Sequence, residues 1–486
     1  MNFSIIKNIL GKIMVLMSFL MCLPLIVCIC YQETYMNYIA FIIPIILMYV
    51  IGRLLNLNKA KDSKMLAREG FVIVGLSWVI IALFGCLPFI ISQEISNFFD
   101  AFFEMVSGFT TTGASILSDV TALSKSMQFW RSFSHWIGGM GVLVFILAII
   151  PESKEGSSMH ILRAESPGPQ VGKLVSKMQA TSRILYLIYL GLTIILFLLL
   201  CLGPDKDMDL FNSIVYALGT AGTGGFAVDV YSLEFYTHYT QYIISIFMIL
   251  FGVNFTLFYF ILIGQFKEVF KNDELRWYFG IIIISVIIIA LSIFNKYGNL
   301  EQSFRYALFH VASIMSTSGY SIVNYEEWPM IAKSVLFILM FFGAMAGSTS
   351  GGMKISRVTI LFKSSIKRIK NMISPRKVET VNIDGKPLKG NVVESVQGFF
   401  VVYFAIFILC AFIISIDNFD VTTNLSASLA CISNIGPGFN EVGPYGSYGD
   451  FSNLSKFILS LEMIAGRLEL FPMLILFNPS TWKRRI

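Results

Sequence analysis

The chain has 486 residues, 56% of them apolar or aromatic and only 14% charged, with a net charge of +6, whereas a soluble domain carries about 25% charged residues. That composition excludes a soluble globular protein, a disordered or fibrous chain and a nucleic-acid-binding protein. The seven cysteines lie in or beside apolar segments without metal-ligand spacing, which excludes a secreted disulfide scaffold and indicates no redox role.

Charge-free runs occur at 13–32, 34–52, 70–93, 132–150, 184–204, 235–266, 277–295, 334–353 and 395–416. Each reaches the length that crosses ~30 Å of hydrocarbon, so nine membrane spans are predicted in that order. No small-residue cleavage site separates the first run from the second, which begins at Thr34, so the first reads as a retained helix rather than a signal peptide. A tenth apolar stretch, Phe457 to Trp482, is long enough to cross but holds Glu462, Arg467 and Glu469. With ten spans, 28 of the 36 Lys and Arg residues fall on one side, ten of them in 354–390. That side, with both termini, is cytoplasmic by the positive-inside rule. The outer loops hold 17 acidic residues against seven basic ones, a field that draws cations to the outer face.

Beyond the first two spans a plan recurs four times. NFFDAFFEMVSGFTTTGAS, LFNSIVYALGTAGTGGF, FRYALFHVASIMSTSGY and TTNLSASLACISNIGPGF each follow a span, and each joins a short apolar helix to a loop of Gly and small polar residues. Taking Gly113, Gly224, Gly319 and Gly436 as equivalent gives intervals of 111, 95 and 117 residues. The expected organisation is an N-terminal two-helix segment, 1–69, followed by pore units at 70–151, 152–264, 265–390 and 391–486. The fold class is therefore an all-α polytopic membrane protein, with four pseudo-symmetric helix, pore-loop and helix units around a central ion pore.

Non-helical backbone at membrane depth is tolerated only inside protein or along a water-filled cavity. Rings of carbonyl oxygens can replace a cation's hydration shell, and short helices aimed at the cavity present their negative ends to it. The carbonyls at and before each glycine are the candidate ion ligands: Thr111, Thr112 and Gly113; Gly222, Thr223 and Gly224; Thr317, Ser318 and Gly319; Asn434, Ile435 and Gly436. Pro437 follows the fourth glycine where Ala114, Gly225 and Tyr320 follow the others. It lacks an N–H, so an imperfect ring with weakened rejection of Na⁺ and Rb⁺ is expected.

With DAFFEMVSGFTTTGAS (100–115), RSFSHWIGGMGVLVFILAIIP (131–151), FGVNFTLFY (251–259), GAMAGSTSGGMK (343–354) and AGRLELFP (465–472) in this order, the chain resembles the Trk/Ktr potassium transporter family over essentially its whole length. The two extra N-terminal spans resemble the longer, Trk-type branch. The resemblance implies K⁺ uptake at the bacterial plasma (inner) membrane and a homodimer in which each protomer holds its own pore. It also implies control by a cytosolic TrkA-like ring of RCK domains that carries the nucleotide, ATP/ADP or NAD. Membrane lipids are the remaining partners, and no covalently bound cofactor is expected. Consistent with nucleotide on the ring, the chain has no Rossmann glycine signature, and Gly347 to Lys354 places Met353 where a phosphate loop needs Lys.

An intramembrane Arg normally faces a cavity or a carboxylate. Arg467 is assigned to the pore below the filter, as the resemblance implies, with an ion pair to an acid on a neighbouring helix as the alternative. The glycines of 343–354 weaken the helix by roughly 1 kcal/mol each, and the resemblance places a gating loop here: Gly343, Gly347, Ser348, Thr349, Ser350, Gly351, Gly352 and Lys354. Small-residue helix packing is the competing reading for that loop and the preferred one for Gly138-Gly139-Met140-Gly141. His135, His238 and His310 read as residues satisfied by neighbours. Two rival functions remain at this stage. A proton- or sodium-coupled K⁺ symporter differs by fixed coupling rather than by any motif. A membrane-embedded enzyme lacks support, since the four histidines form no HExxH and no GxSxG occurs.

Overall fold

The computed structural model describes residues 1–57, 67–141, 178–374 and 379–482, and the elements within them are helices apart from one small hairpin. Among these residues six helices are long and apolar enough to cross a membrane: Phe3–Cys30, Tyr35–Asn56, Arg68–Ser92, Ala180–Cys201, Asp273–Tyr297 and Gly390–Asp417. Their outward surfaces carry large apolar side chains such as Ile46, Leu54, Leu198, Ile284 and Phe412, as expected where the surrounding solvent is hydrocarbon. The protein is a multi-pass α-helical membrane protein. The first helix and Tyr35–Asn56 cross at glycines, where a Cβ on Gly11 would lie 2.7 Å from the Gly52 carbonyl oxygen.

Several expected spans are broken. Run 13–32 starts earlier, as Phe3–Leu20 continued by Cys22–Cys30. Run 235–266 is two helices, His238–Phe251 and Phe255–Leu262, bent by 95°. Gly252 ends the first, and the Asn254 side chain caps the second by accepting the Thr256 N–H at 2.8 Å. Run 334–353 starts inside Met330–Leu339 and continues as a non-helical segment that ends before Ile355–Ile373. The tenth stretch is Asn453–Arg467, a break with Glu469 and Leu470 at positive φ, and Phe471–Phe477. Run 132–150 lies partly on Lys125–Gly139, and its remainder, 142–150, falls outside the described residues. Thus Lys125–Gly139, His238–Phe251, Met330–Leu339 and Asn453–Arg467 form one class, each stopping where protein rather than lipid satisfies the freed backbone groups.

A second class comprises the short helices Phe98–Phe109, Leu210–Gly222, Leu300–Met315 and Val421–Ile432. Each begins with an Asn or Asp whose side chain accepts a first-turn N–H: Asn97, Asp209, Asn299 and Asp420. With 12, 13, 16 and 12 residues, all are too short to span. Between Ile355–Ile373 and Gly390–Ile414 the hairpin pairs Asn382–Ile383 with Lys386–Pro387. It packs Ile383 against Ile360 and Val396.

Candidate functional site

The four short helices end identically. The N–H groups of Thr111, Thr223, Thr317 and Asn434 bond the carbonyls of Gly108, Thr220, Ile314 and Cys431 at 3.0–3.2 Å. Those of Thr112, Gly224, Ser318 and Ile435 reach back to Ser107, Gly219, Ser313 and Ala430 at 2.8–3.0 Å. These pairs are Schellman closures, which need a left-handed residue. Thr111, Thr223, Thr317 and Asn434 supply it, with φ of 55°, 54°, 59° and 55°. Two residues later a second left-handed position follows at Gly113, Gly225, Gly319 and Gly436, with φ of 80°, 82°, 79° and 97°.

This repeated geometry corrects one reading. The glycine equivalent to Gly113 is Gly225, not Gly224, so the second quarter is Thr223, Gly224 and Gly225, and Gly222 is the last helical residue. The residue after that glycine is accordingly Phe226. Three glycines within four residues made the sequence register ambiguous, whereas the threonine two residues before the last glycine fixes it.

The loops also close into a ring. A Cβ on Gly113 would lie 2.0 Å from the Gly224 carbonyl oxygen, one on Gly225 1.7 Å from that of Ser318, one on Gly319 2.2 Å from that of Ile435, and one on Gly436 2.6 Å from that of Thr112. Each loop therefore abuts the middle residue of the next, and the fourth returns to the first. All four left-handed glycines line one cavity of about 90 Å³, together with Arg131 and Tyr448. Behind the first loop, Glu104 accepts from Arg131, the Ser115 hydroxyl and the Ile116 N–H. The Tyr448 hydroxyl holds the Gly436 carbonyl at 2.8 Å.

The 343–354 segment and Arg467 meet on the far side of the ring from the helix caps. Gly351 N–H donates to the Thr317 hydroxyl oxygen at 2.8 Å, and a Cβ on Gly351 would come within 2.7 Å of the Ser433 carbonyl oxygen. Arg467 donates to the carbonyls of Thr349 at 2.7 Å, Gly138 at 2.5 Å and Gly139 at 2.6 Å. It thereby joins the end of one broken helix to the non-helical segment of another. Of the two acids in the same stretch, Glu469 pairs with Arg357, and Glu462 accepts from the Ser428 hydroxyl. Lys354 donates to the Ser350 carbonyl. Gly343 lies against Gly351 and Gly352, and Gly347 against Asn254. The Gly347 carbonyl accepts the Phe255 N–H at 3.0 Å, and Met345 N–H donates to Gly252 at 3.1 Å, seating the segment in the 95° break.

One contributor escaped the sequence reading. The buried Glu274 carboxylate accepts the N–H groups of Ala346 at 2.8 Å and Ser356 at 2.9 Å, clasping the 343–354 segment near both ends. The neighbouring Asp273 carboxylate accepts from Lys363 and from the Asp384 N–H of the hairpin, and the Asp273 N–H donates to the Asp384 carboxylate. Gly138 and Gly139 are packing glycines: a Cβ on Gly138 would sit 1.9 Å from the Phe109 carbonyl oxygen. His135 and His310 bond the carbonyls of Gly108 and Tyr306.

Residues 36–484 match the TrkH family of cation transport proteins. The chain is 32% identical over 490 residues to the Trk system potassium uptake protein TrkH of Escherichia coli K12, covering 99% of this chain and all of that protein. It is 30% identical to TrkG of the same strain, covering 99% and 98%. The crystal structure of the potassium transporter TrkH from Vibrio parahaemolyticus superposes with a TM-score of 0.88 at 30% identity, over 99% of this chain and all of that one.

Proposed function

This chain belongs to the TrkH family of cation transport proteins, and on that premise we propose that it takes up K⁺ through the ring of four loops, into the cytoplasm across a bacterial plasma membrane. The closed head-to-tail contact of the loops is the observation that carries this reading. A dehydrated cation needs several oxygens converging from different directions. Four loops with one backbone conformation around one cavity supply that arrangement, and four short helices direct their negative ends toward it. The filter positions are Thr111, Thr112 and Gly113; Thr223, Gly224 and Gly225; Thr317, Ser318 and Gly319; and Asn434, Ile435 and Gly436. The relatives named above are themselves described as potassium uptake proteins.

Below the ring, Arg467 and the 343–354 segment act as the barrier. A guanidinium held by carbonyls from two helix breaks sets a fixed positive charge beside the exit, and the segment it binds lies against the third and fourth loops. Release of the segment opens the path. Control comes from a cytosolic nucleotide-binding ring on a homodimer, engaging the basic face of 354–390, where Arg368, Lys370, Lys386 and Lys389 are exposed. In a K⁺-uptake-deficient bacterium, expression should restore growth at low external K⁺, and vesicles holding the purified protein should accumulate K⁺ over Na⁺. Correctly inserted protein that does neither overturns the proposal. Single-channel currents, as opposed to a fixed coupling ratio, separate passive conduction from symport.

A further inference from the structure

The second loop differs from the others in a way its backbone does not require. Gly225 is left-handed, but Gly222 and Gly224 are not, so conformation leaves those two positions open to a side chain. The other loops carry one there: Thr110 and Thr112, Ser316 and Ser318, Ser433 and Ile435. What forbids it in the second loop is His135, from Lys125–Gly139 of the preceding unit. A Cβ on Gly224 would fall 2.1–2.4 Å from three atoms of the His135 imidazole, and one on Gly222 would fall 2.3 Å from the His135 carbonyl oxygen.

The imidazole is fully buried and engaged at both nitrogens. Nδ1 lies 2.7 Å from the carbonyl oxygen of Gly108, on the first short helix, and Nε2 accepts the Phe226 N–H at 3.4 Å. A backbone carbonyl only accepts and a backbone N–H only donates, so the ring is neutral with its proton on Nδ1. The Phe226 ring packs on the imidazole with centroids 4.2 Å apart, and the Arg131 guanidinium lies 4.0 Å from the same ring's centroid.

We propose that His135 is a specificity-determining positioning residue: it ties the first short helix to the second loop and sets the direction of the carbonyls at Thr223 and Gly224 without touching the ion. The inference rests on the filter reading above. The two-glycine gap in the second loop is the imprint of this imidazole.

The test is a contact-swap series assayed by K⁺ and Na⁺ uptake in vesicles, with folded yield measured by size-exclusion chromatography. His135→Ala is expected to lower the K⁺ over Na⁺ preference by about threefold to tenfold, the range that one net hydrogen bond supports. His135→Asn, which keeps a donor near Nδ1 but not the Nε2 acceptor, should fall between it and the wild type. Gly224→Ala alone should lose folded yield or K⁺ flux, because its methyl group meets the imidazole. The double variant His135→Ala/Gly224→Ala should recover what Gly224→Ala lost. Wild-type preference in both His135 variants, or a double variant no better than Gly224→Ala, overturns the proposal. If His135→Ala does not accumulate, His135→Asn and the rescue comparison still decide. Gly319→Ser in the third loop is the control. Altered preference there with unaltered His135 variants sinks only this inference, whereas unaltered preference in all of them sinks the filter itself.

Discussion

Arg467→Ala tests the barrier most directly. The guanidinium contributes in two ways that the structure separates. As a charge, at an effective dielectric constant of about 20 and a closest approach of ~5 Å, it repels K⁺ by roughly 3 kcal/mol, worth about a hundredfold in rate if fully expressed. As a donor, it makes three bonds of 2.5–2.7 Å to Thr349, Gly138 and Gly139, and charge-assisted bonds of this type contribute about 1.5–3 kcal/mol each. Arg467→Ala removes both, so K⁺ flux into vesicles should rise by about one to two orders of magnitude. Arg467→Lys keeps the charge but replaces a planar fork, which spans two helix breaks, with a single point donor. If charge dominates, the lysine variant conducts like the wild type. If the clasp dominates, it approaches the alanine variant. Flux at or below wild type in folded Arg467→Ala protein refutes the barrier and leaves the arginine a structural tie.

Three further outcomes follow from the same geometry. Ser at Gly113, Gly225, Gly319 or Gly436 places a side chain at a left-handed position, costing about 1–2 kcal/mol in backbone alone, and drives its Cβ onto the next loop's carbonyl; each should reduce the K⁺ over Na⁺ permeability ratio, and unchanged ratios in all four would remove the shared filter. Glu274→Gln keeps an acceptor for Ala346 and Ser356 but loses charge assistance, weakening the clasp by about 1–2 kcal/mol; amide exchange across 343–354 should accelerate and basal flux increase, and wild-type exchange rates would show that the carboxylate does not hold the segment. Deleting Ala346 to Ser350 should leave a pore that conducts without a cytosolic ring and ignores nucleotide exchange on it, and nucleotide control retained in flux assays would return those small residues to helix packing.

The fold class was legible because the charge-free runs are long and the hydrocarbon thickness is fixed. The breaks were harder to see. No charge or proline marks 252–254 within the run 235–266, although glycine followed two residues later by asparagine is a helix stop and a helix start. The second-loop register failed for a related reason: glycine-counting cannot tell a glycine needed for φ from one needed for space, and GTGG holds both kinds. Arg467 was legible as an isolated charge in an apolar stretch, but its carbonyl partners were not, since backbone acceptors leave no trace in composition. Glu274 looked like one more charge in a loop of mixed sign, and His135 like a satisfied histidine. Both act across more than 70 residues of chain, on partners that pattern and spacing do not reach.

The left-handed residues that close the four short helices are threonine three times and asparagine once, where glycine would avoid the steric cost. Two of these side chains explain what offsets it. The Thr317 hydroxyl accepts the Gly351 N–H, and the Asn434 amide donates to the Met463 carbonyl at 2.9 Å and the Thr112 hydroxyl at 3.0 Å. Glycine at either position would relax the backbone and cut a link from the ring to the layer beneath it. The links are unequal: the third loop is bound to the 343–354 segment, and the fourth to the helix that carries Arg467 and, through the Ser433 carbonyl and the Asn434 side chain, packs on Gly351. The first and second loops rest on Lys125–Gly139 and His135 instead. A displacement of the 343–354 segment therefore breaks the Gly351–Thr317 bond and uncovers Ser433 directly, whereas it reaches the first two loops through Arg467 and the end of Lys125–Gly139. Half of the ring touches the 343–354 segment directly and half is tied to it through Arg467 and the end of Lys125–Gly139, an asymmetry that four identical loops could not hold.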